Sequence, residues 1–241
     1  MPQLTSITTI EATLELVTGL RIGAGDSEMH IGGVDQTVIK HPHTQSPYIP
    51  GSSLKGKMRS LLEWRSGAVK EEALGWKDYE KAPTAQQPEV KRILQLFGIS
   101  GDAKLGVEQM GAIGPTRISF WDCNLNPEWE KQIREDNFTL TEVKSENRIN
   151  RISGVAEHPR QIERVPAGAQ FDFRLSVKQL AGDGEDLMNT VLQGLKLLEL
   201  DSVGGSGSRG YGKVKFVGLK INGTDSQARF EAVKAFEGTA Q

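Results

Sequence analysis

The stretch EDLMNTVLQGLKLLELDSVGGSGSRGYGKVKFVGL, Glu185–Leu219, changes its period twice. Leu187, Val191, Leu195 and Leu198 recur at helical spacing, so Glu185–Leu200 reads as a helix with one apolar side. Glycines then crowd Gly204–Gly212, where the backbone must turn sharply or approach something closely. Val214 and Phe216 alternate with Lys213 and Lys215, the two-residue period of a strand over Tyr211–Leu219. Upstream, Phe171, Phe173, Leu175 and Val177 alternate in the same way, as do Ile10, Ala12, Leu14 and Leu16 within Ile7–Val17. Leu54, Met58, Leu61 and Leu62 give Ser53–Arg65 a helical stripe, with Ser52 or Ser53 as its cap. Ile113–Trp121 is apolar enough for a buried strand. The resulting order is strand, helix, strand, strand, helix, strand. That is the ferredoxin-like order of an α+β fold, an antiparallel sheet with two helices on one face.

Insertions separate these elements. Residues 18–50 form a glycine-rich region with three prolines near its end. Residues 67–112 hold a second insertion, polar and exposed over Lys70–Val90, with a short helix at Val90–Phe97 stopped by Gly98. Asn124–Asn137 reads as polar and partly helical. Lys144–Val165 has five basic and three acidic residues and little apolar periodicity, the composition of a projecting hairpin or an ordinary loop. Ser226–Phe236 is a candidate terminal helix.

Composition narrows the function. The chain has 241 residues, enough for one elaborated domain or two small ones. Its 29 Lys and Arg are balanced by 31 Asp and Glu, so any nucleic-acid site is a local patch on a nearly neutral body. Cys123 is the only cysteine, which excludes an intramolecular disulfide and a cysteine-based zinc site. No apolar run approaches the about 18 residues of a membrane span, and the N-terminus lacks a signal-peptide pattern. A soluble, cytoplasmic protein without a membrane partner is expected.

Three stretches carry candidate chemistry. GGSGSRGYG, Gly204–Gly212, offers backbone amides with Arg209 beside them, an anion cradle or a flexible turn. No Walker A pattern closes it. Gly51–Arg65 places Lys55, Lys57 and Arg59 near a helix start, where they oppose the macrodipole but suit a phosphate. On the residues alone, a solvated amphipathic helix fits equally well. Asp35 follows Gly32 and Gly33, as a turn cap or as a carboxylate for RNA chemistry. RNA carries its own nucleophile, the 2′-hydroxyl, so a cutter needs geometry and charge compensation above all. His41 and His43 are candidates for proton transfer.

TGLRIGAGD (Thr18–Asp26), IGGVDQTVIK (Ile31–Lys40), YIPGSSLKGKMRSLLE (Tyr48–Glu63), ENRINRISGVAEHPRQIERVPAGAQF (Glu146–Phe171) and GGSGSRGYGKV (Gly204–Val214) occur in this order. Together they resemble the repeat-associated (RAMP) backbone subunits of type III-A CRISPR effector complexes. Lys70–Pro88 and Ser226–Gln241 carry little of the resemblance. It implies a modified ferredoxin-like palm with inserted finger-like and thumb-like segments, stacked in several copies along a guide RNA (crRNA). It further implies guide contacts from Ser53, Lys55, Lys57 and Arg59, with Gly204, Gly205, Gly207 and Arg209 opposite. Residues 144–168 would be the thumb that interrupts the guide–target duplex, with Ile152 and Val155 against the displaced bases. Asp35 matches the family's catalytic aspartate, with Arg21 and His43 as support. Complementary target RNA would be cut once per subunit, with a divalent cation, magnesium, for which Asp35 is the one candidate protein contact. The 2′-hydroxyl would attack and leave a 2′,3′-cyclic phosphate. Other subunits of the effector complex are implied partners. The competing readings are a guide-binding subunit that does not cut, and a guide-processing endonuclease with histidine-centred chemistry.

Overall fold

A computed structural model describes residues 3–24, 37–99 and 106–236. In chain order its elements are β1 (Leu4–Leu16), β2 (Tyr48–Ile49), α1 (Gly51–Ser66), α2 (Trp76–Lys81), α3 (Gln87–Phe97), α4 (Val107–Ile113), β3 (Ile118–Phe120), β4 (Cys123–Asn124) and α5 (Pro127–Glu135). They continue with β5 (Glu142–Ile149), β6 (Ala156–Arg164), β7 (Gln170–Leu180), α6 (Asp186–Leu200), β8 (Val214–Ile221), β9 (Thr224–Asp225) and α7 (Gln227–Glu231), with a 3₁₀ turn at Gly207–Arg209 before β8.

The main sheet runs β3-β7-β1-β8-β9, all antiparallel. Set aside β9, and the sequence order β1, α1, β3, β7, α6, β8 folds with the first and third core strands at the centre. This is the ferredoxin-like arrangement. The two-residue period decides the buried face. Leu14 lies opposite Phe171 on one side and Phe216 on the other, and all three are fully buried. α1 and α6 cover that face with Leu54, Met58 and Leu62 from one helix and Val191, Leu195 and Leu198 from the other. Phe173 and Phe216 meet edge-on at 4.8 Å between ring centroids, and Phe230 of α7 extends the row.

Three sequence expectations change. Ile113–Trp121 is not one strand: α4 ends at Ile113, and Gly114–Pro115 intervenes before the short β3. Proline has no amide for a ladder, so the strand begins only after it. Trp121 is exposed. α1 starts earlier than expected and takes no serine cap. Pro50 is its N-cap residue, and Gly51 N–H donates to Asp122 Oδ1 at 2.7 Å. The helix end is therefore capped by the link between β3 and β4 rather than by its own sequence. Finally, Lys70–Val90 is not wholly exposed. Leu74 and Val90 are fully buried with Leu94 and Ile113 in a second, smaller core, flanked by Trp76 and Tyr79. Pro88 lies in the first turn of α3, where a missing amide costs nothing.

Glu63 ties this second core to the palm. Its buried carboxylate accepts from Arg59 Nε at 2.8 Å and from Leu74 N–H at 3.1 Å, while Arg59 also donates to the Leu74 carbonyl. Among the described residues no helix is long and apolar enough to cross a membrane.

Phe173→Ala should destabilise the fold by about 3–5 kcal/mol, the range for an aromatic lost from a packed core. Urea unfolding followed by circular dichroism reads this as a lower midpoint at unchanged slope.

Candidate functional site

The glycine-rich loop is closed by backbone bonds. Val203 N–H donates to the Gly212 carbonyl (2.8 Å), Gly212 N–H to the Gly19 carbonyl (2.9 Å) and Gly205 N–H to the Arg21 carbonyl (2.9 Å). Gly212 is indispensable to that closure. Its φ is +72°, and a Cβ there would lie 1.9 Å from the Val203 carbonyl oxygen. Between these ties, Ser206 (φ 65°) leads into the 3₁₀ turn Gly207–Arg209. Arg209 and Gly210 amides close the turn, so the Gly207 and Ser208 amides open it without a partner inside it. A left-handed residue followed by a tight right-handed turn is the backbone pattern that gathers amides around an anion.

Tyr211 anchors the loop to the β5–β6 hairpin. It is buried, and its hydroxyl donates to Glu146 Oε1 at 2.7 Å. Burial and the Glu146 carboxylate both push its phenol up. Lys144 and Arg164 hold cationic groups 4.6 and 5.0 Å from its ring centroid. Arg209 Nε lies 3.3 Å from Glu146 Oε2. Arg164 also donates to Glu142 Oε1 at 2.7 Å, and its side chain lies where a Cβ on Gly19 would stand. On the opposite flank, Lys57 of α1 pairs with Asp201, just past the end of α6, at 2.7 Å. α1 at Lys57, the glycine loop, residues 18–23 and the hairpin thus converge.

A second tie comes from Glu163 on β6, which is buried. It accepts from Val38 N–H (2.9 Å), Lys40 Nζ (2.6 Å) and Thr141 Oγ1 (2.8 Å). Burial alone would raise its carboxyl, but these three donors outweigh it and hold the group below the usual carboxylate range. Residues 37–40 are thereby fixed to the hairpin base. On their other side they pair with residues 22–24: Ile39 N–H donates to the Ile22 carbonyl and Ala24 N–H to the Thr37 carbonyl.

The sequence candidates fall at different places. Lys55 is half-buried and has no ion-pair or hydrogen-bond partner among the described residues. Arg59, one turn on, is committed to Glu63 and Leu74, so it is not the free cation that its spacing from Lys55 suggested. Ser53 is half-buried and gives its N–H to the Pro50 carbonyl. Gly204, Gly205, Gly207 and Arg209 lie on the closed loop. Arg21 lies beside it: its buried Nε has no acceptor, and its guanidinium nitrogens flank Gly23 and Gly205. His43 lies elsewhere, in a turn against His41, and no bond joins it to Arg21 or the glycine loop. Asp35 lies outside the described residues. Among those described, no cluster of three or more His, Cys, Asp or Glu gathers as a metal site.

The hairpin projects as a separate two-stranded sheet. At its tip Ile152 is 100 % exposed and Val155 is exposed as well. Asn150 Oδ1 accepts from the amides of Ile152 and Ser153 and fixes the turn. Arg148, Arg151 and Arg160 have no partner among the described residues. The sequence reading missed Tyr211, Glu146, Glu163 and Arg164. Their charges were visible, but the pairing that gives them roles is made across long sequence separations.

The sequence matches the RAMP superfamily over residues 13–215. A Streptococcus thermophilus protein named CRISPR system Cms endoribonuclease Csm3 is 42% identical over 217 residues, covering 87% of this chain and 86% of that protein. A protein of the same name from Mycobacterium tuberculosis is 40% identical over 225 residues, covering 88% and 86%. Among solved structures, a chain of the Csm3–Csm4 subcomplex in the type III-A CRISPR-Cas interference complex matches with a TM-score of 0.53 and 29% identity. The match covers 91% of this chain and 80% of that one.

Gly212→Ala should cost well over the about 1 kcal/mol of a strained φ, because the added methyl also meets backbone. Gly210→Ala, with φ +82° but open space around it, should cost only the backbone strain. Thermal unfolding of the two variants measures the difference.

Proposed function

The chain belongs to the RAMP superfamily, among the Csm3-like subunits of type III-A CRISPR effector complexes, and from that we propose that it binds guide RNA in a filament and cuts complementary target RNA at regular intervals. The observation that carries the binding half is the convergence of α1, the glycine loop and the hairpin base. Among the described residues Lys55 is unpaired and the Gly207 and Ser208 amides are open, with Arg209 and Arg21 beside those amides. Cations and open amides on neighbouring segments suit a phosphodiester backbone and read no bases. Further copies of the chain and the other subunits of the complex would extend that surface along the guide.

Target RNA would lie across the arm formed by β5 and β6. Ile152 and Val155, apolar and exposed at its tip, would pack against bases displaced from the guide–target duplex. Cleavage follows from RNA's own chemistry. The 2′-hydroxyl attacks the adjacent phosphorus, the bond to the 5′-oxygen breaks, and a 2′,3′-cyclic phosphate and a 5′-hydroxyl remain. The protein's part is to hold that sugar and phosphate in line and to offset developing charge. Asp35 is the residue assigned to this, as the protein contact of a divalent cation or of the sugar, with Arg21 and His43 in support. The cation would supply charge stabilisation at the phosphate. The described residues offer no donor set for it, so no step is assigned to it.

Asp35→Ala should abolish cutting and leave target binding intact. The test assembles the complex with guide, adds complementary labelled RNA and magnesium, and resolves the products on a sequencing gel. Regular cuts that vanish in the variant support the reading. Equal cutting by both places the chemistry elsewhere. Tight binding without cutting by either supports a purely structural subunit.

A second prediction separates the two cations of α1. Lys55→Ala should reduce the slope of log affinity against log salt by about 0.7, the single-strand value for one lost phosphate contact, without changing thermal stability. Arg59→Ala should lower thermal stability instead, because it strips Glu63 and the Leu74 carbonyl of their donor. Filter binding across a salt series, beside a melting curve for each variant, reads both.

A further inference from the structure

The anion cradle at the glycine loop already faces an anion, one that belongs to the protein. Glu146 extends from β5 toward the loop, and its two carboxylate oxygens serve different partners. Oε1 takes the Tyr211 hydroxyl at 2.7 Å, with Lys144 Nζ at 3.8 Å. Oε2 faces Arg209 Nε at 3.3 Å. Lys144, Arg209 and Tyr211 surround this one carboxylate as they would surround a phosphate oxygen.

The two bonds differ in permanence. Tyr211 is buried, and a hydroxyl stripped of its acceptor there would be left unpaired, so the Oε1 contact is costly to break. Arg209, which also donates to Ser206 Oγ, has a side chain 53% exposed on a turn whose opening amides have no partner among the described residues. The pair is open to solvent on the Arg209 side, while the Glu146 side chain is only 18% exposed, and a half-exposed pair of this kind adds modest stability and is exchangeable for a stronger anion. A phosphodiester offers Arg209 a charge-assisted bond and takes the turn amides as well, which Glu146 does not.

We propose that Glu146 is an internal stand-in for RNA phosphate, which holds Arg209 in the unloaded subunit and is displaced from it when guide RNA enters. Oε1 keeps the arm braced on Tyr211 throughout, while Oε2 releases Arg209. The contact is autoinhibitory: RNA must out-compete the carboxylate, so the empty subunit holds stray polyanions less well than its cations alone would. This inference rests on the reading of Arg209 as a guide contact.

Glu146→Gln tests it with the fold preserved, because the amide oxygen still accepts from Tyr211 while the amide nitrogen no longer attracts Arg209. The probe is a labelled single-stranded RNA of guide sequence, titrated with the full chain at fixed salt. Glu142→Gln, which removes an equal charge on the same strand, controls for bulk electrostatics. Glu146→Gln should tighten binding by up to about fivefold, the scale of one exposed ion pair, and by more than Glu142→Gln. In an Arg209→Ala background that excess should vanish. Equal gains from the two glutamate variants, an excess that persists without Arg209, or weaker binding by Glu146→Gln would each overturn the inference while leaving the guide-binding reading intact. If Arg209→Ala alone leaves RNA affinity unchanged, Arg209 is no guide contact, and the inference falls with that assignment.

Discussion

The backbone just beyond the end of β1 must satisfy its polar groups in a crowded place, and the glycine loop, the arm and residues 37–40 are all attached there. Leu16 N–H donates to the Ala169 carbonyl and Val17 N–H to that of Lys213. The Gly19 and Arg21 carbonyls accept from the glycine loop, and Leu20 exchanges both of its bonds with Val165 at the foot of the arm. The Ile22 carbonyl takes Ile39 N–H. Buried peptide groups cannot remain unpaired without large cost, so these bonds fix the loop, the arm and residues 37–40 relative to one strand. That strand is itself central in the sheet, paired on both sides by β7 and β8. The site inherits the rigidity of the palm without being part of its core.

Buried carboxylates make the next level of attachment. Glu63 joins α1 to the second core through Arg59 and Leu74, and Glu163 joins residues 37–40 to the arm through Val38, Lys40 and Thr141. Each accepts a backbone amide and a cation together. The carboxylate satisfies an amide that has no backbone partner among the described residues, and the cation offsets the cost of burying charge. A nearly neutral chain can therefore carry a basic face. Part of its acidic complement is spent inside, and another part, Asp201 and Glu146, is set against individual cations of the site.

The fold was legible wherever one period governed a whole element. Phe171–Val177, Ile7–Val17 and Glu185–Leu200 each alternate or recur cleanly, and their order implied the topology observed. Where proline or glycine interrupts, the reading lost resolution. Gly114 and Pro115 split what read as one strand, and Pro83 and Pro88 masked a segment that buries Leu74 and Val90. Segments of the candidate site were legible by composition, but the partners of their charges were not. Arg59 looked like a companion of Lys55 by helical spacing. The same spacing also places it against Glu63 at i+4, and the buried option prevailed. Tyr211, within a run read for its glycines, carries the contact that joins loop to arm across 65 residues.

The arm shows why such a join is needed. A two-stranded ribbon is marginal on its own, and among the described residues no third strand joins this one. Register slips between Glu146 and Arg148, where His158 (φ 53°) and Pro159 stand opposite a single residue. A bulge is one of the few places where a strand tolerates proline, and it bends the ribbon there. Stability must therefore come from the base, where Tyr211, Glu163 and Arg164 hold both strands, while the tip is kept in shape by Asn150, itself held by Glu157, and by Ser153. Ile152, fully exposed, gains nothing from folding. It gains only when something apolar covers it. Because Asn150 has already ordered the turn beneath it, that contact costs less conformational entropy than it would on a free loop.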